Sequence, residues 1–379
     1  MAQSEDAFVT TWVTTEAEES IFIPTSPSTA YDFTISWGDG TTESVRGIDP
    51  RPEHTYDTPG VHTVVITGVF PRIYFNASPM PPFGEGDPVN ARKLQTIEQW
   101  GTVEWLSMED AFAGAVYLTS DADDAPNLSR VSSMDRMFAG AAFFNDSIGH
   151  WDVSNVESMS ATFARAFSFN ADIGEWDVSN VEDMSGLFMH AASFNQDISD
   201  WDVSNVTNMR ALFAEAGAFN QDIGAWDVSS VEDMSGMFMH AASFNQDIRD
   251  WDVSAVTQMT AMFAGTESFN QSIGDWDVSS VRNMRAMFAE AEAFNQDISG
   301  WDVSNVRNMT RMFSKTASFN QNLRSWQLDS VVKMGFMFSG AESFNQDVRS
   351  WYVPPVALAS NAFDDTPASR LLRIPPRFR

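Results

Sequence analysis

Seven aspartates stand 25 residues apart, at Asp152, Asp177, Asp202, Asp227, Asp252, Asp277 and Asp302, each directly after a tryptophan and two residues before a serine. Glu175, Asp200, Asp250 and Asp275, on the other side of the same tryptophans, add further carboxylate. Oxygen ligands at fixed intervals suit a hard cation, so one chemistry open to this strip is Ca²⁺ binding that bridges glycans or anionic polymers. The other is structural, because an Asp two residues before a Ser accepts hydrogen bonds from its own turn. A second set, His190, Glu215 and His240, fills one slot in successive units. Imidazole and carboxylate are ligands for Zn²⁺ or Ni²⁺, while duplication of a two-unit block explains both histidines without a metal. Asp121, Asp123 and Asp124 form an acidic loop that either holds a cation or is solvated. Apart from the candidate Ca²⁺, no cofactor is expected. Catalytic signatures are missing: there is no Gly-x-Ser-x-Gly, no phosphate-cradling glycine loop, no His-Glu-x-x-His, no Cys and no carboxylate pair unique to one place. The sequence reads as a non-enzyme.

What must position these residues is a repeat. Trp recurs every 25 residues from Trp151 to Trp351, Phe from Phe138 to Phe363, Met from Met134 to Met334, and a Phe-Asn pair from Phe144-Asn145 to Phe344-Asn345. A degenerate copy, Met108-Glu-Asp-Ala-Phe112, precedes them. Within one unit Met209, Leu212, Phe213 and Ala216 have the i, i+3, i+4, i+7 spacing of a helical face, capped by Thr207 or Asn208. In Trp201-Asp202-Val203 the apolar residues alternate with Asp, which predicts a short strand with Asp outward. The expected fold is therefore a repeat solenoid, a leucine-rich-repeat-like stack of short parallel strands and short helices, with the Asp column on its concave sheet at about 5 Å spacing. The Asn column starting at Asn145 is expected to satisfy turn backbone, and the Trp and Phe columns to be core.

Residues 1–75 lack the repeat. Alternating stretches such as Asp32-Phe-Thr-Ile-Ser-Trp predict a small antiparallel β-sandwich, with a hairpin turn at Trp37-Gly-Asp-Gly-Thr41. The predicted organisation is this module over 1–75, a Pro/Gly-rich connector over 76–93, the solenoid over 94–363 and an Arg-rich tail over 364–379, the tail either frayed, packed locally or docked on acid in a neighbouring molecule.

The chain has 379 residues, with 22 basic against 52 acidic residues and a net charge of −30, which argues against nucleic-acid backbones as partners. The charge is uneven: residues 1–250 hold 10 basic and 39 acidic residues, residues 251–379 hold 12 and 13. At 43% hydrophobic the chain is too apolar to be a disordered acidic polymer. No apolar run long enough to span a bilayer and no secretion signal is seen, so no membrane insertion is expected and any export signal is expected to have been removed or never present.

Two resemblances follow from quoted motifs. Trp37-Gly-Asp-Gly-Thr41 with His54-Thr-Tyr-Asp-Thr-Pro-Gly-Val-His-Thr-Val64 resembles PKD-type domains, immunoglobulin-like modules of surface proteins. The recurring Phe-Asn-Gln-Asp-Ile, Trp-Asp-Val-Ser-Asn-Val and Met-x-x-Met-Phe, over roughly 94–363, resemble the BspA-like surface-protein family. That resemblance implies a secreted or cell-surface location and recognition or adhesion, with a protein or glycan ligand on another cell or matrix. The alternative reading is a structural protein that self-associates into a surface layer or filament.

Overall fold

The computed structural model describes residues 4–76 and 87–378. Most of the predicted connector, residues 77–86, lies outside the described residues; at its far end Pro88–Ala91 forms a single helical turn, α1, capped by the Asp87 carboxylate. The chain divides into two compact units, Met1–Val181 with His190–Phe194, and Glu182–Met189 with Asn195–Arg379.

The first unit opens with six strands: β1 (Phe8–Thr14), β2 (Glu19–Phe22), β3 (Ala30–Ser36), β4 (Thr42–Ile48), β5 (Glu53–Tyr56) and β6 (Gly60–Val69). Alternation decides their faces: Tyr31, Phe33 and Ile35 are buried while Asp32 and Thr34 are exposed. β3 and β4 form the hairpin expected around Trp37–Thr41, with Ser36 opposite Thr42. β6 pairs antiparallel with β3 and β1, and β2 with β5 in a separate two-stranded sheet. The other edge of β1 takes β7 (Leu94–Gln99), which in turn pairs parallel with β8 (Thr119–Ser120), Thr96 opposite Thr119. At β7 the main sheet changes from antiparallel pairing to the parallel pairing of coils about one repeat apart.

In the repeats the expectation of a leucine-rich-repeat-like solenoid with short helices and Trp-Asp-Val strands is overturned. Helix is confined, among the described residues, to α1 and to α2 (Pro367–Arg370), with one 3-10 turn at Pro376–Phe378, and no helix is long and apolar enough to cross a membrane. The coils are built of turns. In the second unit Met259, Ala261, Phe263 and Gly265 donate their amides to Asn283, Arg285, Met287 and Ala289 of the next coil at 2.8–3.0 Å, while Met262, Ala264 and Thr266 donate to the carbonyl three residues back. A helix sends every amide back along its own axis; here alternate amides leave the coil. The backbone reason is two left-handed residues per unit, four apart, as at Ala261 (φ 55) and Gly265 (φ 68). L-residues in that conformation cannot propagate a right-handed helix. The i, i+3, i+4 spacing is nonetheless used, since Met259, Met262 and Phe263 are fully buried. The parallel bridges also fall elsewhere than expected, at Asp183, Asn208, Asp233, Gln258, Asn283, Asn308, Lys333 and Leu358 in succession rather than at Trp-Asp-Val.

Because non-glycine residues at positive φ are strained, Ala261→Gly is expected to raise stability by about 1 kcal/mol. A higher urea midpoint checks this; a lower one contradicts the left-handed assignment.

Side chains tie coil to coil. Trp276 donates its indole N–H to the Ile248 carbonyl at 3.1 Å. Asn270 accepts the Asn295 amide at 2.9 Å through Oδ1, and Gln296 donates to the Asn270 carbonyl at 2.8 Å. The arginine tail packs on the last coil: Arg373 donates to the Asn345 carbonyl at 2.7 Å, Arg377 donates to the carbonyls of Val353, Pro354 and Ala357, and Phe378 lies against Phe363.

Candidate functional site

The tryptophan-flanking acids all lie at the surface. Asp152, Asp177, Asp202, Asp227, Asp252, Asp277 and Asp302 are exposed, as are Glu175, Asp200, Asp250 and Asp275. No strand carries the column, so there is no concave sheet beneath it. Each Asp instead closes its own turn: Oδ1 accepts the amide of the serine two residues on, at 3.0–3.2 Å from Asp152 to Asp302. The serine hydroxyl joins it at 2.6 Å in Asp152, Asp177 and Asp202. The same device recurs elsewhere in the repeats, as in Asp222 to Gly224 and Asp233 to Ser235. Much of the acid in this chain is therefore turn chemistry.

Those bonds favour the charged form. The Ser254 hydroxyl and amide hold the Asp252 carboxyl below its usual range, and the same partners act on Asp152, Asp177 and Asp302. A carboxyl lowered on folding stabilises the fold above its unfolded value of about 3.9 and loses that contribution as pH falls through the lower folded value. These groups are open to solvent, so each contributes only a few tenths of a kcal/mol. The urea midpoint is expected to fall between about pH 4 and pH 2. Asp252→Asn keeps a turn acceptor and should flatten part of this pH dependence at little cost at pH 7, whereas Asp252→Ala should cost about 0.5–1 kcal/mol there. Equal effects of the two substitutions would contradict the turn role.

His190, Glu215 and His240 occupy the second left-handed position of their units, at φ 59, 59 and 56. His190 is half-buried; Glu215 and His240 are exposed. The His240 ring lies on Gly265 of the following coil, where an added Cβ would come within 2.1 Å of Nδ1. Among the described residues no group of three or more His, Asp or Glu is arranged to hold a metal ion. In the acidic loop, Asp124 accepts the amides of Trp100 and Gly101 at 2.9 and 2.7 Å.

In the amino-terminal module the two quoted motifs meet. The Tyr56 hydroxyl donates to the Trp37 carbonyl at 2.7 Å, the His54 ring stacks on Trp37, and His54 Nε2 is 2.7 Å from Asp39 Oδ2. The Thr41 hydroxyl and amide, with His54, hold the Asp39 carboxyl down to about 2, and burial pushes the Tyr56 phenol up. This cluster clasps the β3–β4 turn to β5.

One feature was not singled out from the sequence. Tyr117, Phe143 and Phe167 are 51%, 57% and 49% exposed, Tyr117 and Phe143 in one slot of successive coils of the first unit and Phe167 in the slot before it in the next coil. The rings of Tyr117 and Phe143 stack at 5.9 Å. Tyr117 also lines a hollow of about 390 Å³ with Val13, Val89, Lys93 and Gln95. The signal was available: the positions that correspond to Phe143 are Ser168, Ser193 and Ala218, and those that correspond to Phe167 are Ala192, Gly217 and Ala242. An aromatic where later copies are small is an exception to the repeat.

Turn-built coils bonded to one another at a 25-residue interval define a repeat protein. Three overlapping stretches, residues 106–222, 187–293 and 262–371, match the family described as Mycoplasma protein of unknown function, DUF285, and the chain belongs to that family. No curated protein and no solved structure matches the chain.

Proposed function

We propose that this is a secreted or cell-surface recognition and adhesion protein, a non-enzyme that binds a protein or glycan ligand through the outer surface of its repeats. The observation that carries the reading is the exposed aromatic set Tyr117, Phe143 and Phe167, on adjacent slots of three successive coils. Aromatic columns such as Phe112, Phe138 and Phe163 are wholly inside, whereas the outer set keeps about half of its area open to a partner. Contiguous exposed aromatic area is the usual material of a binding hot spot. The motif likenesses to BspA-like and PKD-type surface modules support the location.

The test compares the chain with the Tyr117→Ala/Phe143→Ala/Phe167→Ala variant on immobilised panels of glycans and extracellular-matrix proteins, in millimolar Ca²⁺ and in chelator. The expected result is a ligand whose binding weakens at least tenfold in the variant while the melting temperature stays within a few degrees, about 1.4 kcal/mol of interaction lost. Equal binding by both proteins, or no ligand for the parent chain, would sink the proposal. Loss of binding in chelator would add a cation to the site.

A further inference from the structure

The bridge-forming face of the second unit carries an ordered separation of charge. Two adjacent columns run along it. In one, backbone bonds of 2.8–3.0 Å link Glu182, Thr207, Glu232, Thr257, Arg282 and Arg307 in turn. In the other, the parallel bridges link Asp183 through Gln258 to Lys333. The first rungs bear Glu182, Asp183, Glu232 and Asp233; the middle rung, Thr257 with Gln258, is neutral; the last bear Arg282, Arg307 and Lys333, with exposed Arg285 in the same stretch. No ion pair within the chain, among the described residues, engages any of these four cations, although the chain as a whole is net −30. Cations on successive rungs about 5 Å apart repel one another and lack local acid.

We propose that two copies of this chain pair antiparallel along this ridge, the acidic end of each on the basic end of the other. Two arguments select a second copy as the partner. A two-fold axis through the neutral rung carries the Glu232–Asp233 rung onto Arg282 and the Glu182–Asp183 rung onto Lys333, while Arg307 falls on the uncharged Thr207–Asn208 pair between those two acidic rungs, so one self-complementary patch sets four acids against the three cations. The spacing also matches without adjustment, because both partners are the same ladder with the same rise per coil. Arg210, the cation at the acidic end, lies beside these acids and does not reverse their sign. The pairing does not depend on the aromatic set.

Sedimentation velocity of the full chain over about 1–100 μM, at low salt and at 0.5 M NaCl, tests it. The expected result is a dimer at low salt whose dissociation constant rises at least tenfold at high salt. Arg282→Glu/Arg307→Glu and, separately, Glu182→Lys/Glu232→Lys should each be monomeric, and an equimolar mixture of the two variants should dimerise again. These side chains are at the surface, so both variants should keep the parent melting temperature. A monomer at every concentration in low salt, a dimer indifferent to the reversals, or a mixture that stays monomeric overturns the proposal. The aromatic triple variant should dimerise like the parent, which separates failure here from failure of ligand recognition.

Discussion

Phe263→Ala is expected to destabilise the second unit by about 3–5 kcal/mol, the range for emptying a large buried aromatic site. Phe263 is fully buried. Its ring centroid lies 4.1 Å from Phe269 in its own coil, 5.6 Å from Phe238 before it and 5.7 Å from Phe288 after it, all near-parallel. Deleting the ring therefore damages two coil interfaces and one coil interior together. In an array whose stability is a sum of nearest-neighbour contacts, damage to both interfaces of a middle coil cannot be absorbed by the ends. Phe263→Leu should recover more than half of the loss. Urea denaturation measures both substitutions, and a cost below about 1 kcal/mol for the alanine would mean that the column is not packed as described.

Asp110→Ala should be comparably severe, about 3–5 kcal/mol, for a different reason. Asp110 is wholly buried and receives a two-pronged bond from Arg136, Nε to Oδ1 at 2.9 Å and Nη2 to Oδ2 at 2.7 Å. Arg136 also reaches Glu109 at 3.0 Å, and Glu109 holds Arg72 at 2.7 Å. The Asp110 carbonyl accepts the Phe75 amide. The pair thus sits where the segment after β6 meets the first coils, and removing one carboxylate leaves a guanidinium half-buried with only Glu109 to answer it. Asp110 has φ 53, a conformation Asn tolerates. Asp110→Asn keeps the backbone and a hydrogen-bond acceptor while removing the charge, so its smaller expected cost, about 1–2 kcal/mol, isolates shape from charge. Equal stability of parent and Asp110→Ala would contradict the buried pair.

The periodicity in the sequence located the coils, the buried Trp, Phe and Met columns and the Asn column, because burial acts on each repeat in the same way. It misled on backbone. Met, Leu, Phe and Ala at helical spacing are equally satisfied by a run of turns, and the left-handed corners are hidden because most are held by Ala, Arg, His or Glu instead of Gly. Gly186, Gly236, Gly265 and Gly340 in those slots were the available clue. The Trp-Asp-Val alternation has the period of a strand, yet the Asp carboxylate satisfies the local serine amide and closes a turn instead. Within the acid-rich pattern, turn closure and ligand binding draw on one residue type, so the Asp column alone did not distinguish them. The aromatic set was legible only as a departure from the repeat, and the charge ridge only once the bridges showed which columns are neighbours.

The most direct test of turn-built coils is the far-ultraviolet circular dichroism of the intact chain. Two-turn helices in every unit would make roughly a fifth of the chain helical and give a clear minimum at 222 nm. The structure predicts almost no helical signal, since α1 and α2 contribute four residues each. A helical content near a fifth would contradict it.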